Sequence, residues 1–458
     1  MTLSAVDPLL GFTQAIAIAM SMAFVTYVFL IILPFLRRPR VPGGNSSAWQ
    51  WHFLVPCRDE ASVIGDTVRY LRACFPSAHL WIVDDDSDDG TAAVVEAFLG
   101  TRDGMVHLVR RRRPDARLGK GEALNAGYRA VKEWLGDDAD PMSSIVVVVD
   151  ADGRPAVDCL NVCVADHLFG DDGIGAVQID VRMANRGVPQ RSTRGFRRWR
   201  GKLLVRMQDL EFRSAIAAIQ YSRKFTGTIS MGGNGQFTRL AALDSIAGDD
   251  GRPWGGCLLE DFELGVHLLT AGWRTGFSND TYVDQEGLYS VRRFLAQRTR
   301  WSQGTMQCLR YVPRIWRSEH LSTAGTAEMI YYLAQPWMQL VGSIVYPIPM
   351  VILAAESVRE PRVTWQWFTD GAWMFFAVYG TIGILPFVIW GPIYWLRCDR
   401  QGSFLRGVGW GLAYAVYIYS FYVTSWRALG RLVRGRNGWA KTRRNDQKVG
   451  DGTAAVEQ

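Results

Sequence analysis

Two aspartates one residue apart, Asp150 and Asp152, stand directly after four consecutive valines at positions 146–149. Four β-branched residues in a row read as a strand buried on both faces. Such a strand delivers the pair rigidly to a sheet edge. Alternate residues of an extended segment point the same way, so both carboxylates address one site. Hard oxygen ligands with open positions suit Mg²⁺ or Mn²⁺ bound together with a diphosphate. A second acidic run, Asp84-Asp85-Asp86-Ser87-Asp88-Asp89-Gly90-Thr91, follows another apolar stretch. Carboxylates stacked at the top of a sheet repel one another unless a cation or donor groups intervene. Turn and helix-cap chemistry accounts for Ser87, Asp88 and Gly90. The EF-hand spacing that starts at Asp85 (Asp89, Gly90 and Glu96 follow in register) is incomplete, because the preceding segment reads as a strand rather than an entering helix.

A zinc ribbon is excluded. The seven cysteines form no CxxC pair, and the six histidines form no HxxxH or HExxH, so a zinc ribbon has no ligands. An odd cysteine count argues against a disulfide framework and for a reducing compartment. Cys159 and Cys163, four apart, read as helix packing. With 458 residues and 48% hydrophobic content the chain buries a large core and is not intrinsically disordered. The 46 glycines follow no three-residue period, which excludes a collagen-like repeat.

The elements that must position the aspartates follow from periodicity. Runs at 51–55, 80–83 and 145–149 are apolar without polar alternation and fit strands of a parallel sheet. Helical patterns lie between them, at 61–74, 91–99 and 121–135. Strand and helix in alternation predict an open α/β sheet, with ligands at the carboxyl ends of the strands.

Around this soluble block lie apolar segments of membrane length. Residues 12–35 carry no charge and are followed by Arg37, Arg38 and Arg40. About 20 apolar residues span a bilayer, and basic residues after the run place the next domain in the cytoplasm. Segments 329–355, 371–396 and 407–426 are also uncharged. Three crossings would put the tail outside. The tail, however, holds Arg427, Arg431, Arg434, Arg436, Lys441, Arg443, Arg444 and Lys448, which the positive-inside rule keeps in the cytoplasm. One of the three is therefore expected to be re-entrant or interfacial. The organisation read here is a membrane helix at 1–36, a linker at 37–48 and a catalytic block at 49–320. A membrane region at 327–426 and a basic tail at 427–458 complete it.

The order of motifs resembles family 2 glycosyltransferases of the GT-A fold, in particular the membrane-integrated branch with cellulose, chitin and hyaluronan synthases. Val55-Pro56-Cys57-Arg58-Asp59-Glu60 is similar to that family's first-strand signature, and Asp84–Thr91 to its DDxSxDGT segment. Gly119-Lys120-Gly121-Glu122-Ala123-Leu124-Asn125 is similar to its GKxxALN. A P-loop is excluded there, because no Ser or Thr follows Lys120. Asp150-Ala151-Asp152 is the DxD, Leu259-Glu260-Asp261 stands where the family has Thr-Glu-Asp, and Gln297-Arg298-Thr299-Arg300-Trp301 is a full QxxRW. Leu259 for Thr is a minor departure. The stretch Gly232-Gly233-Asn234-Gly235-Gln236-Phe237 replaces the cysteine-containing acceptor loop of cellulose synthases.

The resemblance implies a Rossmann-like mixed open sheet with flanking helices, plus α-helical transmembrane segments. It implies Asp261 as catalytic base beside Glu260, and Asp85 reading a uracil ring. It places Pro56, Arg58, Glu60, Lys120, Asp150, Gln297, Arg298 and Arg300 about the donor nucleotide, with Asp152 as the more direct ligand of Mg²⁺ or Mn²⁺. Trp301, Asn234 and Gln236 become acceptor contacts. Trp439, Lys441, Thr442 and Arg443 are similar to a gating loop in related synthases, with a juxtamembrane lipid contact as the alternative. The metal would stabilise the leaving diphosphate as a Lewis acid, Arg300 would supply fixed donors, and Asp261 would take the acceptor's proton if its pKa rises towards neutrality.

The expected function is thus inverting transfer from a nucleotide sugar, UDP-linked by resemblance, onto a growing β-linked polysaccharide at the plasma membrane. Transfer of one sugar to a membrane lipid is the alternative, and a catalytically inactive nucleotide-binding receptor or scaffold is the reading from a different class. The net charge of +7 concentrates in places. Between 186 and 206 lie Arg186, Arg191, Arg194, Arg197, Arg198, Arg200, Lys202 and Arg206 without an acid. No nucleic-acid module accompanies them, so membrane lipids are the expected partner.

Overall fold

The computed structural model describes residues 3–100, 104–188, 190, 194–436 and 438. Its centre is an eight-stranded mixed sheet. In chain order the strands are β1 (Gln50–Cys57), β2 (His79–Asp85), β3 (Val106–Arg111), β4 (Ser144–Val148), β5 (Arg154–Pro155), β6 (Ile174–Met183), β7 (Gln236–Arg239) and β8 (Arg274–Gln285). In space they run β3-β2-β1-β4-β7-β6-β8-β5. The half containing β3, β2, β1 and β4 is parallel, and β7 lies antiparallel to both β4 and β6.

The continuous apolar runs form the centre of the parallel half because helices cover both faces. In β1, Phe53 and Val55 enter one layer with Ile64, Val68 and Leu71 of the helix Ala61–Cys74. Leu54 enters the other with Leu124 and Tyr128 of the helix Lys120–Leu135. Each such side chain taken out of water contributes about 1.5–3 kcal/mol. The β1–β4 ladder continues one residue past β4, where the Val149 N–H donates to Leu54 O at 3.0 Å. Asp150 therefore leaves the sheet from a fixed point.

The expected helices at 61–74 and 121–135 form as Ala61–Cys74 and Lys120–Leu135. That at 91–99 stops at Glu96. On the far side the chain enters β7 at Gly235, whose φ of 70° favours glycine. A Cβ there would lie 2.7 Å from Val283 and 2.8 Å from Ile179.

Among the described residues two helical stretches are long and apolar enough to cross a membrane, Ala15–Arg37 and Thr323–Arg359. The second comprises the helices Thr323–Val345 and Pro347–Arg359, which meet at Tyr346, itself in helical conformation. The segment expected at 371–396 is broken into Trp373–Val388 and Trp390–Arg397, and that at 407–426 into Phe404–Ile418 and Ser420–Val433. The helices Trp390–Arg397 and Phe404–Ile418 meet backbone to backbone, since a Cβ on Gly391 would lie 2.2 Å from Gly407 O.

Ser420–Val433 runs along the helix Val291–Gln307 of the catalytic block. Ser302 Oγ lies 3.4 Å from Thr424 Oγ1, and Arg431 Nε donates to Gln303 Oε1 at 2.7 Å. Gln303 Nε2 donates in turn to Arg436 O at 2.8 Å. Residues 431–436 thus pack beside the carboxyl-terminal part of the helix Val291–Gln307.

Buried polar contacts, among them the Arg206–Asp399 ion pair, join the block to the carboxyl-terminal helices. Arg298 Nη2 donates to Glu211 Oε2 at 2.6 Å, and the Tyr417 hydroxyl donates to the same oxygen at 2.6 Å. Arg206 pairs with Asp399, and the Tyr394 hydroxyl with Asp209. Breaking such a pair by removing one partner costs about 3–5 kcal/mol, because the other charge stays buried.

Candidate active site

The carboxyl ends of β1, β2 and β4 open into one cavity of about 1060 Å³. Its wall contains Pro56, Arg58, Glu60, Asp85, Lys120, Asp150, Asp152, Asn234, Glu260, Asp261, Gln297, Arg298, Arg300 and Trp301. The sheet rim and the segments at 119–125, 259–261 and 297–301 therefore serve one space, although some 250 residues of sequence separate their ends.

Each acid is held by the element beneath it. The Asp150 N–H donates to Asn234 Oδ1 at 3.2 Å, and the Gly153 N–H closes a turn onto Asp150 O at 2.7 Å. Asp152 Oδ2 accepts the Glu286 N–H at 2.9 Å. Lys120 Nζ donates to Asp150 Oδ1 and to Gly233 O, both at 2.6 Å, and lies 3.9 Å from Glu260 Oε1. A Cβ at Gly233 would sit 2.9 Å from Lys120 Nζ and 3.1 Å from Asp261 Oδ2, so a side chain there would press on both groups. Asp85 is grasped by Arg111 and accepts the Arg117 N–H at 3.1 Å. Burial nevertheless holds the Asp85 carboxyl above its ordinary range.

The charge balance is tight. Burial first, and the Asp261 carboxylate second, push Glu260 up to about 7, with Lys120 opposing. Burial also raises Asp261. Burial works against the charged form of Lys120, but Asp150, Glu260 and Asp261 outweigh it and raise its pKa. Burial lowers that of Arg300, against the pull of Glu260, Asp150 and Asp261. A raised carboxylate pair beside a fixed ammonium and guanidinium suits proton abstraction next to a developing anion.

The donor set also fits a hard divalent cation. Asp150 and Asp152 offer carboxylate oxygens, and the described residues contain no cluster of three or more His, Cys, Asp or Glu able to enclose a metal. Two carboxylates with the remaining positions left to phosphate and water are the usual holders of Mg²⁺ or Mn²⁺. Lys120 engages Asp150 through Oδ1, and the Glu286 N–H engages Asp152 through Oδ2.

Two expected contacts lie elsewhere. Arg298 reaches the cavity wall, but its guanidinium is spent on Glu211 and stacks over Trp301 at 4.1 Å. Residues two apart on a helix point about 200° apart, so Arg300 faces the carboxylates and Arg298 does not. Gln236 is buried within β7, where its Nε2 donates to Thr238 Oγ1 at 3.1 Å. It is already part of the ladder and does not line the cavity, whereas Asn234, just before Gly235, does. Trp439, Lys441, Thr442 and Arg443 lie outside the described residues.

Four supporting residues escaped the motif reading. Asn125 makes a two-way clamp on Trp254, donating to its carbonyl at 2.9 Å and accepting its N–H at 3.0 Å. Glu263, fully buried, accepts the Cys257 N–H at 2.8 Å and pairs with Arg310. Gly304 admits the backbone of Leu259, for a Cβ there would lie 2.8 Å from the Leu259 nitrogen. Glu211 holds Arg298. The signals were faint. Asn125 closes the GKGEALN run, and Gly304 sits one turn beyond Trp301. Together the first three grip the 254–261 segment from both sides and fix Glu260 and Asp261.

The family described as glycosyltransferase like family 2 matches residues 50–304. A beta-monoglucosyldiacylglycerol synthase of Synechocystis sp. is 30% identical over 319 residues, covering 68% of this chain and 58% of that protein. A beta-monoglucosyldiacylglycerol synthase of Trichormus variabilis is 27% identical over 315 residues, covering 68% and 59%. The matches thus span less than two thirds of these relatives' length. In structure, the chain is similar to a mannosyltransferase from Pyrobaculum calidifontis in complex with GDP-Man and Mn²⁺. That likeness, at 18% identity and a TM-score of 0.54, covers 93% of this chain and 99% of the other and is one of fold alone.

Proposed function

The chain belongs to the glycosyltransferase like family 2, with a GT-A fold, and from that membership we propose that it transfers a single sugar from a UDP-sugar to a lipid acceptor in a membrane. One observation carries the acceptor. The cavity that holds Asp152 and Asp261 runs on between the helices Leu3–Arg37 and Thr323–Val345, where Phe24, Tyr27, Ile31, Tyr331, Met338 and Tyr346 wall it. A lipid hydroxyl at Asp261 with acyl chains among these residues uses both ends of the space. The relatives, named for a glucosylated diacylglycerol, support the same order of preference. It reverses the one drawn from QxxRW, which put polysaccharide extension first.

In this mechanism Asp152, with Asp150, would hold Mg²⁺ or Mn²⁺, which would supply Lewis-acid stabilisation to the departing diphosphate. Asp85 contacts the base of the nucleotide. Lys120 and Arg300 present fixed cationic donors towards the same charge. Asp261 accepts the proton of the acceptor hydroxyl as its oxygen bonds C1 and the C1–O bond to the diphosphate breaks. Attack from the face opposite the leaving group inverts the anomeric centre, so an α-linked donor gives a β-linked product. Trp301, backed on one face by Arg298, stacks on the sugar ring.

The apolar helices seat the protein in the membrane, and the basic residues after the first place the catalytic block in the cytoplasm. The purified enzyme, given radiolabelled UDP-glucose and diacylglycerol in mixed micelles, is expected to yield one glycolipid with a β-linkage. A ladder of water-soluble chains made without lipid would restore the polysaccharide reading.

A further inference from the structure

The helix Gly195–Leu210 is divided into two unlike halves. Its carboxyl-terminal half is buried against the ends of the apolar helices, where Arg206 pairs with Asp399, lies 3.3 Å from the Tyr394 hydroxyl and sits over Trp410 at 5.0 Å. Its amino-terminal half is bare. Every residue from Arg194 to Arg200 is exposed, including Phe196 at 70% and Trp199 at 59%, whose rings stack on each other at 5.6 Å. Arg194, Arg197, Arg198, Arg200 and Lys202 flank them in sequence. Among the described residues none of the five has an ion-pair partner, whereas Arg186 and Arg206 of the same basic stretch do, in Asp209 and Asp399.

Two large exposed aromatics interleaved with cations that lack ion-pair partners among the described residues are costly in water and suited to a boundary. Aromatic rings favour the headgroup level of a bilayer, and an arginine-rich amphipathic helix binds where the leaflet is anionic. The place in the fold agrees. The buried half docks at the loop after Arg397, where the apolar helices turn, and Phe404 at 54% and Leu405 at 76% are exposed beside Arg400 and Arg406. The bare half therefore projects from the level at which the apolar helices end.

We propose that residues 194–202 form a docking surface for anionic lipid headgroups, with Phe196 and Trp199 inserted at the interface and the five cations on the phosphates. The surface is separate from the cavity. It rests on the apolar helices being seated in a bilayer, not on the identity of the acceptor.

The test uses the full-length protein in lipid nanodiscs and hydrogen–deuterium exchange of residues 195–203. With about one third phosphatidylglycerol, exchange is expected to slow by roughly tenfold or more relative to pure phosphatidylcholine, and high salt should erase the difference. The variant R197Q/R198Q/R200Q should lose the difference while still transferring sugar in phosphatidylcholine discs. Equal wild-type rates in the two discs would overturn the proposal, as would a difference that survives high salt. Protection produced by an added oligonucleotide instead of anionic lipid would reassign the surface to nucleic acid. None of these results bears on transfer itself, so failure here is distinct from failure of the proposed activity.

Discussion

The ammonium of Lys120 lies 2.6 Å from a carboxylate oxygen of Asp150, and the same ammonium is 3.9 Å from Glu260. One cation thus ties the proposed metal end of the site to the end that carries the proposed base. Replacing it, as in Lys120→Met, leaves three carboxylates facing one another without that charge. The raised pair at Glu260 and Asp261 should then titrate higher still, so the acidic limb of the pH–rate profile moves to higher pH as turnover falls. An unmoved limb would remove Lys120 from this role.

The wild-type profile has a definite sign. Glu260 is pushed up to about 7 from an ordinary 4.5, and the acceptor's proton needs an ionised pair. Between pH 6 and 8, kcat/KM is expected to rise. Stability runs the other way. A folded-state pKa above the unfolded one favours folding below about pH 4.5 and loses that contribution as pH climbs through about 7. Rate assays and thermal melts across this window should therefore show opposite trends, with any melting trend read against other titrating groups by repeating it in Glu260→Gln.

Arg298 and Arg300 share a motif yet should fail differently. Arg298→Ala strands the buried Glu211 carboxylate and should cost about 3–5 kcal/mol of stability, visible as a lowered Tm. Arg300→Ala should lower the melt less than Arg298→Ala does and lower kcat about 10²–10³-fold, the usual loss for a donor to a developing anion. Equal melting losses in the two variants would contradict this division.

Much of this arrangement is legible before any coordinates. The runs under Leu54, Ile82 and Val147 have no polar interruption, so their strands and the acids behind them stand out. β6 and β8 do not, because Gln178, Asp180, Asn279 and Asp280 break their apolar pattern where the sheet borders other polar elements. The Arg298/Arg300 distinction was available from helical phase alone, but the family motif groups them. Gln236 was misplaced because a glycine-rich stretch reads as loop up to Phe237, whereas the ladder begins at Gly235. The helix Ser420–Val433 reads as apolar in its first half, and its packing along Val291–Gln307 through Thr424 and Arg431 has no signal in the sequence.

Close approach at Gly304 makes another test. Gly304→Ala places a methyl group 2.7 Å from Leu259 Cβ, and overpacking of this kind costs about 1–3 kcal/mol. The Leu259–Asp261 segment should shift, lowering kcat while the KM for the UDP-sugar stays near wild type. A variant that loses donor affinity alone would show that Gly304 supports the other end of the cavity.

The most direct measurement compares Asp261→Asn with Asp152→Ala by calorimetric titration of UDP in the presence of Mn²⁺, alongside sugar transfer. Asp261→Asn should abolish transfer, by at least the 10²–10⁴-fold or so that a general base supplies, and keep Mn²⁺-dependent UDP binding. Asp152→Ala should lose the metal dependence of that binding. Near-normal turnover in Asp261→Asn, or metal dependence undiminished in Asp152→Ala, would contradict a single cavity in which one aspartate holds the metal and the other takes the proton.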